Sequence, residues 1–335
     1  MNHSNQTMQL VNFDQYGGPE KLTLNTVSRP EPGKGEVRIK MTGLALNRSN
    51  SLFLNGNYLF DASFPSRIGT EGTGIVDALG VGVTSVELGQ RVNLLPPQNE
   101  SESGYAADFN IVPSQSLLPS PTGLDDRHAA TAWVPYLTLY HLFVEKGLAA
   151  EGKWVVLPAA SSSVSLAANN LAHHLGAKTI GLTRTDVKAQ ALKDAGYDAV
   201  VITQKEDISA SIKKITGEGA DFVFDPVGGS QLESLIASVK PGAVINVYGL
   251  LDPADTKLPI FTLMNSGATI SAYTVYELVT DPIRMKSAIE YFLPLFNNGS
   301  LTPTVDSQHF SLDQISEAFS HLESNDQFGK VVIGF

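Results

Sequence analysis

The sequence contains no cysteine among its 335 residues. Disulfide bonds, thiol nucleophiles and thiolate metal ligands are therefore all excluded. Any chemistry that this chain performs has to use oxygen and nitrogen side chains or a bound cofactor.

Long apolar runs and an excess of positive charge are missing as well. No apolar segment approaches the length of about 20 residues that a membrane-spanning helix needs. The net charge of −11 argues against nucleic acid and anionic membranes as partners, because both require a basic surface. Residues 1–7 are polar and lack the pattern of a secretion signal. We therefore expect a cytoplasmic protein that binds neither nucleic acid nor membrane.

The clearest structural pattern lies at residues 153–184. A β-branched and apolar run at 154–157 is followed by apolar residues at helical spacing from 164 to 175, and a second short strand pattern covers 179–183. Strand, helix and strand within about thirty residues form a βαβ unit. Its first turn is where parallel sheets bind phosphate groups.

The turn of this unit has an unusual composition for a phosphate site. Dinucleotide-binding turns use glycines, but residues 159–165 contain none. Ser161, Ser162 and Ser163 are able to cap the following helix and donate hydroxyl hydrogen bonds to a phosphate, while the helix dipole favours an anion. The alternative is that these serines only cap a helix in a protein that binds no nucleotide.

Arg184 gives this unit its more specific signal. Enzymes that use NAD place an acidic residue near the end of the second strand, whereas an arginine there suits the 2′-phosphate of NADP. Thr183 adds a hydroxyl group, and Lys188 lies one helical turn further on. The alternative for Arg184 is a solvated surface charge.

Strand and helix patterns alternate from the 153–184 unit to a strand near 267–272, which predicts a six-stranded, doubly wound parallel sheet. Residues 1–125 show short strands separated by glycine turns instead. Residues 281–335 return to this second style. We therefore predict an α/β protein with a β-rich domain at 1–125 and 281–335 and a cofactor-binding domain at 126–280.

Short motifs along the whole chain support a family resemblance. They are YGGPE at 16–20, PEPG at 30–33, GEV at 35–37, ALN at 45–47, NGNY at 55–58, IGTEGTG at 68–74, LT at 137–138, AASSSV at 159–164, TR at 183–184, DPVGG at 225–229 and GKVV at 329–332. In this order they resemble the zinc-independent, quinone oxidoreductase-like branch of the medium-chain dehydrogenase/reductase superfamily.

The resemblance implies a Rossmann domain inserted in a partly opened β-barrel (GroES-like) catalytic domain, and a homodimer formed through the edge of the Rossmann sheet. It implies NADPH as the cofactor, with the pyrophosphate, the 2′-phosphate and the nicotinamide side bound by different residues. The residues implied to bind NADPH are Thr138, Ala160, Ser161, Ser162, Ser163, Val164, Thr183, Arg184, Lys188, Asp225, Val227, Gly228, Tyr248, Gly249 and Lys330. The departure from the family pattern is the segment from Ser161 to Ser165, where relatives commonly carry glycines, including one at position 165.

Tyr58 and Asn47 are the catalytic candidates, because they resemble the polar residues that metal-free relatives place beside the nicotinamide. A phenol and an amide are able to donate hydrogen bonds to a substrate carbonyl. The alternative for Tyr58 is an aromatic wall of an apolar pocket. Glu71 lies where the zinc-dependent branch has Gly-His-Glu, but Thr70 replaces the histidine. We interpret Glu71 as a packing or ion-pair residue, and we predict no metal.

These observations predict a metal-free, NADPH-dependent reductase that transfers hydride to a quinone or to an α,β-unsaturated ketone or aldehyde. An enoyl-thioester reductase is the alternative within the enzymes. A non-catalytic, NADPH-binding redox sensor is the alternative outside them.

Overall fold

The computed structural model describes residues 6–97 and 99–335. The chain forms two compact units. The first runs to Val134 and resumes at Leu293–Phe335, and the second comprises Pro135–Phe292. Sequence analysis placed the same two boundaries earlier, at 125/126 and 280/281. The difference arises because each boundary falls inside a helix, and helical periodicity gives no sign of where a helix leaves one unit.

The first unit consists mainly of short strands. Up to Val134 its strands are β1 (Thr7–Phe13), β2 (Thr23–Ser28), β3 (Glu36–Ala45), β4 (Ser66–Arg67), β5 (Gly72–Leu79), β6 (Arg91–Leu94), β7 (Phe109–Pro113) and β8 (Leu117–Pro119). Its helices are α1 (Arg48–Leu54), α2 (Glu100–Ser103), α3 (Asp126–Ala129) and the first residues of α4 (Trp133–Leu139). Short 3₁₀ turns lie at Pro19–Lys21 and Ser114–Ser116.

The second unit alternates strands and helices, and it begins with the rest of α4, followed by a π-helical segment at Tyr140–Glu145. Its strands are β9 (Trp154–Leu157), β10 (Lys178–Thr183), β11 (Ala199–Ile202), β12 (Ala220–Asp225), β13 (Val239–Val247) and β14 (Thr269–Ala272). Its helices are α5 (Ser163–His174), α6 (Ala189–Asp194), α7 (Ile208–Thr216), α8 (Leu232–Ala237), α9 (Ile260–Ser266), α10 (Tyr276–Val279) and most of α11 (Pro282–Asn297), with 3₁₀ turns at Asp186–Lys188 and Gly229–Gln231.

The last section of the chain completes the first unit. It contains β15 (Phe310–Ser311), a 3₁₀ turn at Leu312–Gln314, α12 (Ile315–Ser324) and β16 (Val332–Gly334). Strand β16 pairs antiparallel with β3. The resulting seven-stranded sheet has the order β15-β16-β3-β5-β6-β8, with β7 also paired to β3, and a smaller sheet has the order β2-β1-β4.

The core of the first unit follows from the alternation of residues in β3. Val37, Ile39 and Met41 are buried, because successive side chains of a strand point to opposite faces. They belong to one apolar cluster with Phe319 and Leu322 of α12. The terminal helix therefore covers the sheet that its own section completes.

The second unit is a six-stranded parallel sheet of order β11-β10-β9-β12-β13-β14. Counted along the unit, this is the order 3-2-1-4-5-6 of a doubly wound dinucleotide-binding sheet. The predicted fold class is therefore confirmed. Ligands of such sheets bind at the carboxyl ends of the strands, next to the point where the strand order reverses, which here lies between β9 and β12.

The lengths of the described helices decide whether any of them is able to span a bilayer. The longest, α11, has 16 residues. Within residues 6–97 and 99–335, no helix has the length and apolar content that a membrane span requires.

Candidate active site

The serine turn, residues 158–165, connects β9 to α5 at the carboxyl edge of the parallel sheet. Ser162 is the N-cap of α5, and its Oγ accepts a hydrogen bond from the N–H of Ser165 at 3.3 Å. The predicted serine cap is thus confirmed. The first N–H groups of a helix lack partners within the helix, and the helix dipole makes this end positive. The turn therefore has the properties of an anion-binding site.

The side chain of Ser165 points into the protein and not toward the surface of the serine turn. Its side chain is completely buried, and its Oγ donates to the carbonyl oxygen of Pro158 at 2.8 Å. The buried Tyr197 hydroxyl donates to the carbonyl oxygens of Ala160 and Ser165, at 2.9 and 3.0 Å. Tyr197 was missed by sequence analysis because no motif marks it: it precedes β11, far from the turn in sequence.

Ala159 occupies the position in the serine turn that most needs a glycine. Its φ angle is +47°, in the left-handed region that alanine enters only at a cost. No sequence pattern indicated this strain, because a single alanine carries no sign of its φ angle.

The end of β10 lies beside the serine turn. Lys188 donates from Nζ to Ser161 Oγ at 3.2 Å, so the structure brings together a residue predicted to bind the 2′-phosphate and one predicted to bind the pyrophosphate. Arg184 directly follows β10 and is exposed. The nearby carboxylate of Asp186 is ion-paired with Lys205, which offsets its negative charge. This corner of the sheet thus presents cationic and hydroxyl groups.

The glycine turn, residues 225–230, follows β12 at the same edge of the sheet. The Asp225 carboxylate is fully buried and accepts hydrogen bonds from the N–H groups of Val227 and Gly228 at 2.8 and 3.1 Å. Burial raises the pKa of Asp225 to about 6, although these hydrogen bonds lower it. The carboxylate therefore stabilises its own turn, and the residues after it form the rim of the sheet.

Two glycines in left-handed conformations shape this turn. Gly228 and Gly229 have φ angles of +62° and +61°, and the N–H of Gly229 donates to Thr256 Oγ1 at 2.8 Å. Tyr248, after β13, stacks on Phe224 with ring centroids 3.9 Å apart. The segments after β12 and β13 therefore pack together at the carboxyl edge, where sequence analysis expected Asp225, Val227, Gly228, Tyr248 and Gly249.

Three further residues of the second unit that are predicted to bind the cofactor lie in three different secondary-structure elements. Val164 is half-buried in the first turn of α5, Thr183 ends β10, and Thr138 is buried on α4. Their contacts with a cofactor stay predictions.

The Asn47 cluster, formed by Asn47, Thr70, Glu71 and Lys330, lies in the first unit. Asn47 stands between β3 and α1, and its Oδ1 accepts a hydrogen bond from Lys330 Nζ at 2.6 Å. Its Nδ2 lies 3.4 Å from both Thr70 Oγ1 and Glu71 Oε2. Asn47 itself is only half-buried, so the cluster reaches the surface of the unit through this residue.

Lys330 has partners that sequence analysis did not expect. Its side chain is 1% exposed, and its ammonium group forms an ion pair with Glu71 Oε2 at 3.1 Å. The other oxygen of Glu71 accepts the N–H of Val134 at 2.8 Å. The interpretation of Glu71 as an ion-pair residue is confirmed. Contact between Lys330 and a cofactor stays a prediction, since the observed partners of its ammonium group are Asn47 and Glu71.

A second buried carboxylate, Glu100, lies behind the cluster. Its Oε1 accepts hydrogen bonds from Asn50 Nδ2 and from the N–H of Gly69, at 2.8 and 2.9 Å. Asn50 in turn accepts the N–H of Asn47 at 2.8 Å. Burial raises the pKa of Glu100 to about 7. Sequence analysis missed Glu100, because the polar run around it resembles a solvated loop.

Tyr58 is half-buried and packs against the core of the first unit. Its ring lies edge-on to Phe60, with centroids 5.0 Å apart. This placement is compatible with both sequence interpretations, a hydrogen-bond donor and an aromatic wall.

A metal site would need several ligating side chains in one place. In the part of the chain that the structure describes, no three or more histidine, aspartate or glutamate side chains are arranged to hold a metal ion.

Comparisons with known proteins agree with this architecture. Residues 33–122 match the family described as alcohol dehydrogenase GroES-like domain, and residues 163–293 match that described as zinc-binding dehydrogenase. The quinone oxidoreductase of Pseudomonas aeruginosa is 25% identical over 96% of this chain and 98% of its own length. The structure of Escherichia coli quinone oxidoreductase complexed with NADPH has a TM-score of 0.89 at 24% identity, covering 98% of this chain and 100% of that chain.

A longer protein is also similar. A phenolphthiocerol/phthiocerol polyketide synthase from Mycobacterium tuberculosis is 29% identical over 96% of this chain, which spans only 14% of that protein.

The two family matches, the quinone oxidoreductase relatives and the inserted parallel-sheet unit agree with each other. The chain belongs to the medium-chain dehydrogenase/reductase superfamily of oxidoreductases, in its quinone oxidoreductase-like branch.

Proposed function

We propose that this protein is an NADPH-dependent reductase that delivers hydride to a conjugated carbonyl compound, a quinone or an α,β-unsaturated ketone or aldehyde. The observation that carries the proposal is the contact between Lys188 and Ser161, next to Arg184 at the end of β10. It brings a cationic side chain proposed for the 2′-phosphate to a helix terminus that is suited to an anion. The NADPH that the Escherichia coli structure contains supports the same cofactor.

The residues of the second unit fit a dinucleotide phosphate. The N-terminus of α5 and the hydroxyls of Ser161 and Ser163 suit the pyrophosphate. Arg184 suits the 2′-phosphate, because a guanidinium group binds phosphate oxygens in a bidentate manner. When bound, NADPH supplies the hydride.

The residues of the first unit suit the substrate side of the reaction. Hydride transfer to a conjugated carbonyl places negative charge on the substrate oxygen, and donors aimed at that oxygen stabilise it. We assign this role to Asn47 and Tyr58. The proton that completes the reduction comes from water or from a phenol such as Tyr58.

We propose that the reaction uses no metal. The chain has no cysteine, and the Glu71 carboxylate, which is the natural oxygen ligand in this cluster, is already paired with the Lys330 ammonium group. Hydrogen-bond donors then replace a Lewis acid at the substrate carbonyl.

Binding and turnover test the proposal in two steps. Purified protein is titrated with NADPH while the nicotinamide fluorescence is followed, and NADPH oxidation is then measured with a panel of quinones and short enones. We expect binding and oxidation. Absence of binding would reject the enzyme proposal as a whole, whereas binding without oxidation across the panel would favour a redox sensor.

Cofactor choice is tested with Arg184→Ala. The variant should lose roughly 10- to 100-fold in NADPH affinity and little in NADH affinity, because a hydrogen bond to a charged group contributes about 1.5 to 3 kcal/mol. Lys193→Ala is the matched control, since it removes an exposed positive charge from the neighbouring helix α6 and leaves the Lys205–Asp186 pair intact. Equal losses for both cofactors would remove Arg184 from the 2′-phosphate site.

An enoyl-thioester reductase is the second candidate function. It is supported by the similarity to a segment of a polyketide synthase. Oxidation of NADPH with a crotonyl thioester, measured beside a short enone of similar size, separates the two substrate classes.

We also propose that a second copy of this chain covers the edge of the parallel sheet. Strand β14 is the last strand in the sheet order. Phe261 and Met264, on the helix that leads into it, are 84% and 72% exposed. Light scattering should give the mass of a dimer, and Phe261→Asp should shift it toward the monomer.

A further inference from the structure

The carboxamide of Asn47 has a fixed orientation. An asparagine side chain is able to present either its oxygen or its nitrogen to a partner. Lys330 Nζ, however, lies 2.6 Å from one atom of this group, and an ammonium group only donates hydrogen bonds. The atom that faces Lys330 must therefore be Oδ1, and the other atom must be Nδ2.

The Nδ2 group keeps capacity for a further hydrogen bond. Its two distances, to Thr70 Oγ1 and to Glu71 Oε2, are both 3.4 Å, at the long end of what counts as a hydrogen bond. Donation from a cation to Oδ1 also polarises the amide and strengthens its N–H groups as donors. A better acceptor near Nδ2 would thus compete well for these hydrogens.

We propose that Lys330 is a positioning residue that turns Asn47 into a dedicated hydrogen-bond donor for the oxygen of the substrate carbonyl. This inference rests on the proposed reductase function. Asn47 contacts the reacting group, whereas Lys330 acts through Asn47 from within the protein.

Glu71 has the supporting role in this arrangement. A buried ammonium group is stable in its charged form only with a partner of opposite charge. Glu71 supplies that charge at 3.1 Å and is itself fixed by the N–H of Val134. The pair therefore holds the Lys330 ammonium group against Asn47 Oδ1.

The test separates positioning from folding. Lys330→Met alone would leave Glu71 buried without a cation, which is strongly destabilising. The principal variant is therefore the double substitution Lys330→Met with Glu71→Gln, which removes both charges. The matched control is Arg38→Met with Asp77→Asn. It removes another ion pair of the same unit, with a separation of 2.6 Å, in which the further observed partners of Arg38 are Pro30 and Glu31 rather than members of the Asn47 cluster.

The principal variant should lose roughly 10- to 100-fold in kcat, the range observed when partners of a functional side chain are removed. Adding Asn47→Ala to it should cause little further loss, because Lys330 acts only through Asn47. The control should lose stability but keep its kcat. An unchanged kcat in the principal variant, or an undiminished effect of Asn47→Ala in that background, would overturn the proposal.

A second readout does not depend on turnover. In protein with ¹⁵N-labelled asparagine, the side-chain amide signals of Asn47 are assigned by their loss in Asn47→Ala. They should shift in the principal variant and stay in place in the control. Unchanged signals would refute the positioning role even in an active enzyme. If the signals shift but the wild-type protein reduces no substrate, the reductase function fails while the positioning contact stands.

Discussion

The serine turn and the glycine turn lie at the carboxyl edge of one parallel sheet, but different groups hold them in place. The serine turn is fixed by hydroxyl groups, through Ser165 on Pro158 and Tyr197 on two carbonyl oxygens. The glycine turn is fixed by the carboxylate of Asp225 and by two residues with positive φ angles. In the serine turn, Tyr197 comes from 32 residues further along the chain, whereas the carboxylate that holds the glycine turn belongs to the turn itself.

This difference shows how the first turn of a doubly wound sheet is able to form without glycine. Glycine allows the turn after the first strand to be tight and the helix to pack closely on the sheet. In the serine turn, Ala159 takes the positive φ angle at a cost, and the buried Ser165 hydroxyl satisfies a carbonyl group that glycine would leave to another donor. Four predictions test how far the two turns differ in stability.

The glycine turn should tolerate a side chain least at Gly229. A Cβ atom there would overlap the Asp252 carboxylate and lie 2.5 Å from Asp252 Cβ, at a φ angle of +61°. Gly229→Ala should lower the free energy of unfolding by about 3 to 4 kcal/mol, from backbone strain and overpacking together. Denaturant titration measures the loss.

The control for this variant is Gly242→Ala. Gly242 has a φ angle of +80°, and a Cβ atom would have open space around it. Only backbone strain of about 1 to 2 kcal/mol is expected there. Equal losses in the two variants would show that Asp252 moves aside freely and that the glycine turn is less tightly packed than proposed.

The second prediction concerns the pH dependence of the glycine turn. Because the pKa of Asp225 in the folded protein is raised to about 6 from 3.8, its ionisation opposes folding. The contribution of Asp225 to the free energy of unfolding should therefore fall as pH rises from about 4 to 6, by up to about 3 kcal/mol, and should not fall further above this window.

Asp225→Asn isolates this contribution, because asparagine does not ionise. The free energy of unfolding of the variant minus that of the wild-type protein should rise with pH between 4 and 6 and then level off. A difference that is constant across the window would mean that the carboxyl group titrates alike in the folded and unfolded states.

The third prediction concerns restoration of the family glycine in the serine turn. Ser165→Gly should lower the free energy of unfolding by about 2 kcal/mol, since it loses the hydrogen bond to Pro158 and places glycine in a helix. Ser165→Ala loses only the hydrogen bond and should cost about 1 kcal/mol. We expect no gain in NADPH affinity from either change; a clear gain for glycine alone would show that Ser165 holds the cofactor away from the helix.

Much of the fold was predictable from local patterns. The strand at 154–157, the six-strand alternation and the return of the last section to the β-rich style all follow from periodicity and turn residues, and the sheet order confirms the doubly wound class. The unit boundaries were less predictable, because α4 and α11 each continue from one unit into the other.

The candidate site was predictable in its residues but not in its contacts. The serine cap and the ion-pair role of Glu71 are confirmed. The partner of Glu71, Lys330, lies 259 residues away in sequence, and Tyr197 reaches the serine turn from 32 residues away. Short motifs do not encode such long-range contacts, nor do they reveal the φ angle of a single alanine.

That alanine provides the fourth prediction, which has the smallest effect. Ala159→Gly should raise the free energy of unfolding by about 0.5 to 1 kcal/mol, because relief of a left-handed alanine exceeds the entropy that glycine adds to the unfolded chain. Its neighbour Ala160 is buried and, unlike Ala159, has no positive φ angle, so Ala160→Gly should instead destabilise by about 1 kcal/mol. Changes of opposite sign in the free energy of unfolding at the two adjacent alanines would place the strain of the serine turn at Ala159. A loss of stability in both variants would show that the hydroxyl hydrogen bonds of the turn had already relieved this strain.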